Sequence, residues 1–240
     1  MPVRYSYLLL TLLAPCTALA QAPDTLIFGI THEPGTNAYR YAGAYLQRLC
    51  KELDRRCLLQ NLPGLRGAAM IANGGIAGEM GRVQEYNSEH HEYRRIDEPF
   101  ITIRTYAFTK ASQPEIDSWQ ELEQHARAVS YQRGVYIYRL RLEGMRPRVQ
   151  PHDVQSVSAC FKMVLAGRDQ ACIYDDGSLS DESRLLLKQG HAGKPLGELS
   201  LYIYLGKDYS PIAPAMNDVT RHLNAEGLRA QLRHQYFISP

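Results

Sequence analysis

Two short segments of the chain carry the charged residues best placed to act on a small molecule. The first segment, residues 73–82, ends at Arg82, and the second, residues 165–175, ends at Asp175. Each follows an amphipathic helical pattern, turns at glycine and continues as a short, buried strand. Open α/β sheets present ligand-binding groups where their strands end. Because the arrangement occurs twice, the sequence predicts two α/β lobes that face each other across a ligand-binding cleft.

Arg82 and Asp175 offer complementary chemistry at this cleft. The planar guanidinium of Arg82 suits a bidentate pair with a ligand carboxylate, but an internal ion pair with Glu79 or Glu85 would explain the same residue. Asp175 could receive a cationic or hydroxyl group of a ligand, or form a polar turn before Gly177. The sequence therefore leaves a ligand-binding role and a structural role open for each residue.

Further candidate ligand-binding residues lie at other predicted strand ends and in loops. Gln132 and Arg133 precede a predicted helix whose free backbone N–H groups could hold an anionic group, although a plain strand-to-helix turn explains them equally well. Loop polarity or packing explains the remaining candidates as readily as ligand binding does. They are Thr31, His32 and Glu33 after the first predicted strand, Glu79, and the tyrosines Tyr86 and Tyr106, which could stack on a ligand.

The motifs of several enzyme classes are missing from the sequence. It contains no G-x-S-x-G nucleophile motif, no H-E-x-x-H zinc motif, no P-loop and no G-x-G-x-x-G run. His90 and His91 lie in a strongly polar stretch, residues 84–96, and are predicted to be exposed rather than bound to a metal. We therefore predict no cofactor and no metal site.

Composition and the N-terminus indicate an exported globular protein. The 27 Lys and Arg residues balance 25 Asp and Glu residues and are dispersed, which argues against binding to nucleic acid or an anionic membrane. Arg4, the apolar run 8–14 and the small residues 18–20 form a signal-peptide pattern, with the cut expected after Ala20. The apolar run is too short to span a bilayer. We predict a periplasmic or secreted protein whose residues 1–20 are removed.

Four cysteines remain after this cut, and they allow three disulfide pairings. Cys50 and Cys57 are expected near the end of one helix and the start of the next strand, and Cys160 and Cys172 stand in the same relation. An oxidising compartment favours bridges, while neither pair has the spacing of a zinc site. We predict the disulfides Cys50–Cys57 and Cys160–Cys172.

The predicted elements alternate between strands and helices. Asn37 is expected to cap the first helix. The alternation is typical of largely parallel sheets flanked by helices. Strands are predicted near 26–30, 57–61, 78–80, 101–109, 128–131, 148–150, 171–174 and 199–205. Helices are predicted near 37–54, 65–73, 135–143 and 154–166, from 117 and from 180, and over the last thirty residues with a break at Gly227.

The order of these elements resembles the bacterial periplasmic solute-binding proteins of the amino-acid-binding type, family 3. Residues 117–122, Asp-Ser-Trp-Gln-Glu-Leu, resemble the helix start that opens the second lobe in that family. Residues 165–171 resemble its Leu-x-x-Gly-Arg-x-Asp-Ala segment, and Tyr202-Ile-Tyr followed by a helix with Gly227 resembles the returning strand and terminal region. The resemblance covers nearly the whole mature chain.

The resemblance implies an α/β fold of the type II periplasmic-binding-protein class, with two lobes joined by two hinge strands. Each lobe is a mostly parallel sheet flanked by helices. Lobe 1 is expected to comprise residues 21–109 plus 197–240, and lobe 2 residues 110–196, with hinges near 108–111 and 196–200. The two lobes would close over a ligand.

The resemblance also suggests roles for individual residues. An acidic residue at the position of Asp175 commonly receives the ligand ammonium group in family members, and Asp176 lies beside it. The family's carboxylate-binding Arg, in a Thr-x-x-Arg-like segment, has no counterpart, and Arg82 arrives several residues early. Ala77 and Gln170 stand where Asp is usual. The implied function is capture of a small polar ligand, such as an amino acid or another carboxylate.

Two other functions are compatible with the same fold. One is a dehydratase, in which Glu79 or Glu33 would protonate a leaving hydroxyl group if burial raised its pKa. The other is a periplasmic ligand sensor that signals to a membrane partner. The expected partners are a small molecule and either an ABC-transporter permease or such a membrane sensor, with no nucleic acid. The protein is expected to be a monomer and not an enzyme.

Overall fold

The computed structural model describes residues 25–237, so the predicted signal peptide lies outside the described residues. The chain begins with a βαβ unit in which β1 (Thr25–Ile30) pairs in parallel with β2 (Arg56–Asn61) across helix α1 (Asn37–Glu52). The side chain of Thr36, rather than Asn37, caps α1 by accepting a hydrogen bond from the Tyr39 backbone N–H at 3.3 Å. The cap therefore lies one residue earlier than predicted.

The remaining elements continue the alternation of helices and strands. Short 3₁₀ turns at Gln84–Ser88 and Lys207–Ile212 interrupt it. The helices are α2 (Gly64–Ala72), α3 (Trp119–His125), α4 (Tyr136–Gly144), α5 (Val157–Leu165), α6 (Asp181–Leu187), α7 (Ala213–Ala225) and α8 (Leu228–Tyr236). The strands are β3 (Gly78–Arg82), β4 (Arg94–Arg95), β5 (Ile101–Lys110), β6 (Ala128–Gln132), β7 (Gln150–Val154), β8 (Ala171–Asp175), β9 (Gly190–Ala192) and β10 (Gly197–Leu205).

One predicted strand lies later in the chain than expected. Residues 148–150 were predicted as a strand, but β7 begins at Gln150. Met145 follows α4, and its carbonyl oxygen accepts hydrogen bonds from the backbone N–H groups of Arg148 and Val149. A turn therefore occupies residues 148 and 149, and only Gln150 of the predicted segment belongs to the strand. The next helix, α5, also begins later than predicted because Ser156 caps it by accepting from the Ala159 N–H.

The strands form two sheets that share β10. In the first sheet the order is β2, β1, β3 and β10, and in the second it is β10, β5, β8, β6 and β7. The pairs β1–β2, β1–β3, β6–β7 and β6–β8 are parallel, whereas β10 and β5 run antiparallel to their neighbours. We call the first sheet with α1, α2, α7 and α8 the first lobe, and the second sheet with α3–α6 the second lobe.

The sheets meet where β10 changes partner. Residues 197–201 of β10 pair with β5, and residues 202–205 pair with β3. Strand β5 pairs with the second sheet from Ile101 onward, and the backbone N–H of the preceding Phe100 donates to the Leu201 carbonyl oxygen at 3.0 Å. The change of sheet thus falls at the start of β5, whereas the predicted crossing near 108–111 lies at its end. The limits of the moving bodies stay a prediction.

Apolar packing holds each lobe together and joins them near β5 and β10. One continuous cluster of buried side chains fills the first lobe and reaches one face of the second sheet. A smaller cluster, which includes Phe108, Phe161 and Tyr174, lies on the opposite face of the second sheet. Cys50 is bonded to Cys57, and Cys160 to Cys172, which are the pairings expected from the sequence. Among residues 25–237, no helix has the length and apolar character needed to cross a bilayer.

Candidate functional site

Two adjoining cavities lie between the lobes, at the edge where the central strands end. The inner cavity, of about 40 Å³, is lined by Arg82 at the end of β3 and by Asp175 at the end of β8. The outer cavity, of about 250 Å³, lies between α2 and the first 3₁₀ turn on one side and the β6–α4 connection on the other. The inner cavity is also lined by Thr31, His32, Gly81, Val83, Ile103, residues 134–138, Leu199 and Leu201.

Arg82 is held in a buried ion pair with Glu79. Its Nε donates to Glu79 Oε2 at 3.1 Å and its Nη2 donates to Oε1 at 2.5 Å, and both residues are buried. The hydroxyl of Tyr86 also donates to Oε2, at 3.2 Å. Burial alone would lower the pKa of Arg82, but the Glu79 carboxylate offsets this effect and raises the pKa above its ordinary value. The charge of Arg82 is therefore neutralised within the first lobe.

A β-bulge explains how two residues three positions apart in a strand can form this pair. Side chains alternate between the faces of a regular strand, so Glu79 and Arg82 would otherwise point in opposite directions. Tyr204 pairs with Glu79 and Tyr202 with Arg82, and the register shifts between them. The extra residue is Gly81, whose φ of 90° few other residues adopt. The bulge turns Arg82 onto the same face as Glu79.

The remaining donors of Arg82 join the two lobes. Nη1 donates to the carbonyl oxygen of Gly134 in the second lobe at 3.2 Å, and Nη2 donates to that of Gly64 in the first lobe at 3.4 Å. The two glycines touch directly, since a Cβ on Gly64 would lie 2.6 Å from the Gly134 Cα, and a Cβ on Gly134 would lie 2.7 Å from the Gly64 Cα. The lobes are therefore closed at this point.

Asp175 forms the opposite wall of the inner cavity. Its Oδ1 accepts from the Gly177 backbone N–H at 3.0 Å and lies 3.4 Å from Nε2 of His32, which belongs to the first lobe. Its Oδ2 accepts from the hydroxyl of Tyr138 at 3.4 Å. Burial and the Asp175 carboxylate raise the pKa of the Tyr138 hydroxyl well above its ordinary value. Nδ1 of His32 is buried with no hydrogen-bond partner among the described residues.

The neighbouring Asp176 faces away from the cleft. Its Oδ1 accepts from the Arg104 backbone N–H and its Oδ2 from Nη2 of Arg233 on α8, both at 3.0 Å. Burial is the largest influence on Asp176 and raises its pKa. The two adjacent carboxylates therefore serve different surfaces, and Asp175 is the one that a molecule in the cleft would meet.

Aromatic rings form much of the outer cavity. The ring of His90 lies 4.2 Å from that of Tyr86, and Tyr136 meets Tyr86 edge-on at 5.6 Å. Tyr131 completes the set, and Arg82 lies 4.8 Å above the Tyr86 ring. The outer cavity is further lined by Gly64, Leu65, Ala68, Arg82, Glu89, Arg133, Gly134, Val135, Arg139 and Asp153.

Six of the ten residues proposed from the sequence line one of these cavities. Thr31, His32, Arg82 and Asp175 line the inner cavity, and Tyr86, Arg133 and again Arg82 line the outer one. Glu79 lies behind Arg82 in the first lobe, and Arg133 is exposed and paired with Asp153 at 2.9 Å.

Three other proposed residues, Glu33, Gln132 and Tyr106, line neither cavity. Side chains alternate between the two faces of a strand. Ile103 lines the inner cavity and Thr105 contacts Tyr138, so Tyr106 points to the opposite face of β5. There it stacks on Tyr174, with the ring centroids 5.7 Å apart. Glu33 is half-buried outside the cavities, and burial, with the nearby Glu182 carboxylate, raises its pKa.

Sequence reasoning missed several cleft residues. Tyr136 and Tyr138, just after Gly134, line the cavities, as does His90, which was expected to be exposed. The available signal was the pair of tyrosines two residues apart at the start of the helix that follows Gly134. Within residues 25–237, no three His, Cys, Asp or Glu side chains are grouped closely enough to hold a metal ion.

Comparison with known proteins shows which fold this is. No family model matches the sequence. An uncharacterized protein of Shewanella oneidensis is 25% identical over 231 residues, which cover 92% of this chain and 86% of that protein.

Solved structures match over most of the chain at low identity. The substrate-binding protein of an amino acid ABC transporter matches with a TM-score of 0.69 and 13% identity, over 90% of this chain and 100% of its own. The GluR0 ligand-binding core from Nostoc punctiforme, in complex with L-glutamate, matches with a TM-score of 0.69 and 14% identity, over 89% of this chain and 99% of its own. An ancestral amino-acid-binding protein, AncCDT-1, described as a precursor of cyclohexadienyl dehydratase, matches with a TM-score of 0.68 and 16% identity, over 89% of this chain and 95% of its own. These matches confirm the predicted two-lobed, type II periplasmic-binding-protein fold.

Proposed function

We propose that this chain is an exported solute-binding protein that captures a small polar molecule between its two lobes. The observation that carries the proposal is that Arg82 and Asp175, at strand ends in different lobes, line one cavity. Proteins with this fold include the substrate-binding protein of an amino acid ABC transporter and a ligand-binding core in complex with L-glutamate. An amino acid or another small polar molecule is the ligand class these similarities favour.

The geometry supports binding by closure of the lobes. Arg82 and His32 of the first lobe reach Gly134 and Asp175 of the second, and the Ala38 backbone N–H at the start of α1 donates to the Gly177 carbonyl oxygen at 2.9 Å. These contacts exist only when the lobes are together. A ligand that supplies further contacts to both lobes would favour the closed state by its difference in affinity for the two states.

Asp175 is the group around which we expect the ligand to bind. Its carboxylate is buried, accepts hydrogen bonds from a backbone N–H and a tyrosine hydroxyl, and lies 3.4 Å from Nε2 of His32. Among residues 25–237, no Arg or Lys side chain pairs with it. A ligand ammonium or hydroxyl group would supply a further donor and, if cationic, a compensating charge. This reasoning supports the ammonium-binding role that the family resemblance implies for Asp175.

The lobe boundaries, cellular location and partners are part of the same proposal. We take the two moving bodies as residues 21–109 plus 197–240 and residues 110–196. These bounds assign most of β5 to the first body, although β5 pairs within the second sheet. The two disulfides suit an oxidising compartment such as the periplasm. There the protein would deliver its ligand to an ABC-transporter permease or present it to a membrane sensor.

Binding accounts for the cleft better than dehydration does. The dehydratase alternative requires a carboxylic acid that can give a proton to the substrate, and Glu79 was one candidate. Both oxygens of Glu79 already accept hydrogen bonds from Arg82, and one also accepts from Tyr86. The other candidate, Glu33, lines neither cavity.

A thermal-shift screen of the mature protein tests the proposal. The panel would hold amino acids, organic acids, amines and polyamines, and at least one compound should raise the melting temperature in a saturable way. Asp175→Asn should weaken that compound's binding at least tenfold, and Asp218→Asn, an exposed residue of α7 that pairs with Arg221, should leave it unchanged. A panel without a hit, or a hit unaffected by Asp175→Asn, would contradict the proposal.

A further inference from the structure

The two cavities differ in size in a way that constrains the ligand. A cavity of roughly 150 Å³ is enough to bind benzene. The outer cavity, at about 250 Å³, can therefore hold a six-membered ring, and the inner cavity, at about 40 Å³, cannot. We infer that the outer cavity is a subsite for an aromatic ring, and that the ligand joins this ring to a small polar head at Asp175. The second part rests on the proposed function.

The walls of the outer cavity suit a planar, apolar group. Tyr86, Tyr136 and His90 already pack with centroid separations of 4.2 and 5.6 Å and in both tilted and edge-on geometry. The edge-on contact of Tyr136 with Tyr86 is an arrangement that aromatic rings prefer. Leu65 of α2 lines the cavity with 75% of its surface exposed, whereas the leucines of α1, α7 and α8 are buried. A ring in the cavity would cover part of that surface.

The charges around the outer cavity favour a neutral group there. Arg133 is paired with Asp153 at 2.9 Å, and Arg139 is paired with Glu89 at 3.5 Å and Glu143 at 3.1 Å. The third arginine, Arg82, is neutralised by Glu79. A charged group in the cavity would find each of these arginines already paired, whereas a neutral ring needs no counter-ion.

The ring and the head would occupy adjoining cavities. Arg82, Gly134, Val135 and Tyr136 line both cavities, so the two spaces adjoin at these residues, where Gly134 also touches Gly64. A ligand that enters while the lobes are apart would extend across both cavities when they close. The head would then reach Asp175 while the ring stays against Tyr86 and Tyr136.

Three small probes distinguish the ring subsite from the head site. n-Butylamine reports on the head site, phenol on the outer cavity, and 2-phenylethylamine on both, with affinities measured by saturation-transfer NMR on the mature protein. We expect 2-phenylethylamine to bind about 10-fold more tightly than n-butylamine or better, because burial of a ring adds apolar and stacking free energy. Tyr136→Ala should remove this gain.

A matched control is Tyr202→Ala. The Tyr202 ring lies 4.7 Å from the guanidinium of Arg95, much as the Tyr136 ring lies 5.4 Å from that of Arg139, but Tyr202 lines neither cavity. It should keep the gain. If Tyr136→Ala does not fold, Leu65→Ser replaces it, with Leu58→Ser, another exposed leucine, as its control.

Each outcome decides between the two proposals. Equal affinity for the two amines would overturn the ring subsite and leave the proposed function standing. Binding of phenol that Tyr136→Ala abolishes, without binding of n-butylamine, would support the ring subsite and count against the head site at Asp175. If no probe binds, both are overturned.

Discussion

Nη1 of Arg82 in the first lobe donates a hydrogen bond to the carbonyl oxygen of Gly134 in the second lobe, at 3.2 Å. The same guanidinium is fixed by Glu79 on its other side. Arg82 therefore acts as a bridge between the lobes whose direction is set inside one of them. A ligand carboxylate that bound Arg82 would take the place of the Gly134 carbonyl oxygen.

Replacing Gly134 should keep the lobes apart. Gly134→Ala would place a Cβ 2.7 Å from the Gly64 Cα, at a φ of 87° that alanine rarely adopts. We expect a larger radius of gyration in small-angle X-ray scattering and weaker ligand binding. Gly144→Ala, at the end of α4 where a Cβ meets nothing within 4 Å, should behave like the parent protein. Equal scattering for the two variants would contradict the closed contact.

Removing the Glu79 carboxylate should destabilise the first lobe. Glu79→Ala leaves the buried guanidinium of Arg82 without its counter-ion, and breaking a buried pair from one side costs about 3–5 kcal/mol of unfolding free energy. Urea unfolding measures this loss. Glu85→Ala, at an exposed position three residues beyond Arg82, should change stability by less than about 0.5 kcal/mol. A small loss for Glu79→Ala would show that the pair is dispensable.

The disulfides should stabilise each lobe by constraining the unfolded chain. The double change Cys160→Ala with Cys172→Ala should lower the unfolding free energy by about 2–4 kcal/mol. The Cys50→Ala, Cys57→Ala pair should act similarly. Urea unfolding with and without reductant provides the check, since reductant should affect the parent protein and not a variant that lacks both bridges. An unchanged parent midpoint in reductant would contradict this role.

Alkaline pH should unfold the protein partly through its buried tyrosines. Burial raises the pKa of Tyr41 to about 12, while the unfolded residue titrates near its ordinary value of about 10. The stability contributed by the protonated hydroxyl is therefore fully present below about pH 10 and is lost as pH rises toward 12. The unfolding free energy of Tyr41→Phe should fall less between pH 9 and 11 than that of the parent. Parallel pH profiles would contradict this assignment.

Much of the architecture was predictable because local signals and burial agree. Buried apolar runs that end in a charged residue placed Arg82 and Asp175 at strand ends, and both line the inner cavity. The partner of Arg82 was not predictable, because Glu79 and Arg82 share a face only through the bulge at Gly81, which depends on pairing with distant β10. The sequence left Glu79 and Glu85 as alternatives for this reason.

The aromatic lining was the least predictable part of the site. Tyr106 was expected to line the cleft, but strand alternation turns it to the far face of β5, where it meets Tyr174. Tyr136 and Tyr138 face the cleft only because α4 starts at Tyr136 after the turn at Gly134. His90 packs on Tyr86 and Tyr93 within a polar stretch that reads as exposed, and Tyr86 is in turn held edge-on against Tyr204 of distant β10.

A crystal structure of the protein with the compound that raises its melting temperature most tests the central claim most directly. We predict that the compound lies between the lobes, with a donor atom within hydrogen-bond distance of an Asp175 carboxylate oxygen. A compound bound outside the cleft, or one that touches a single lobe only, would contradict capture by closure.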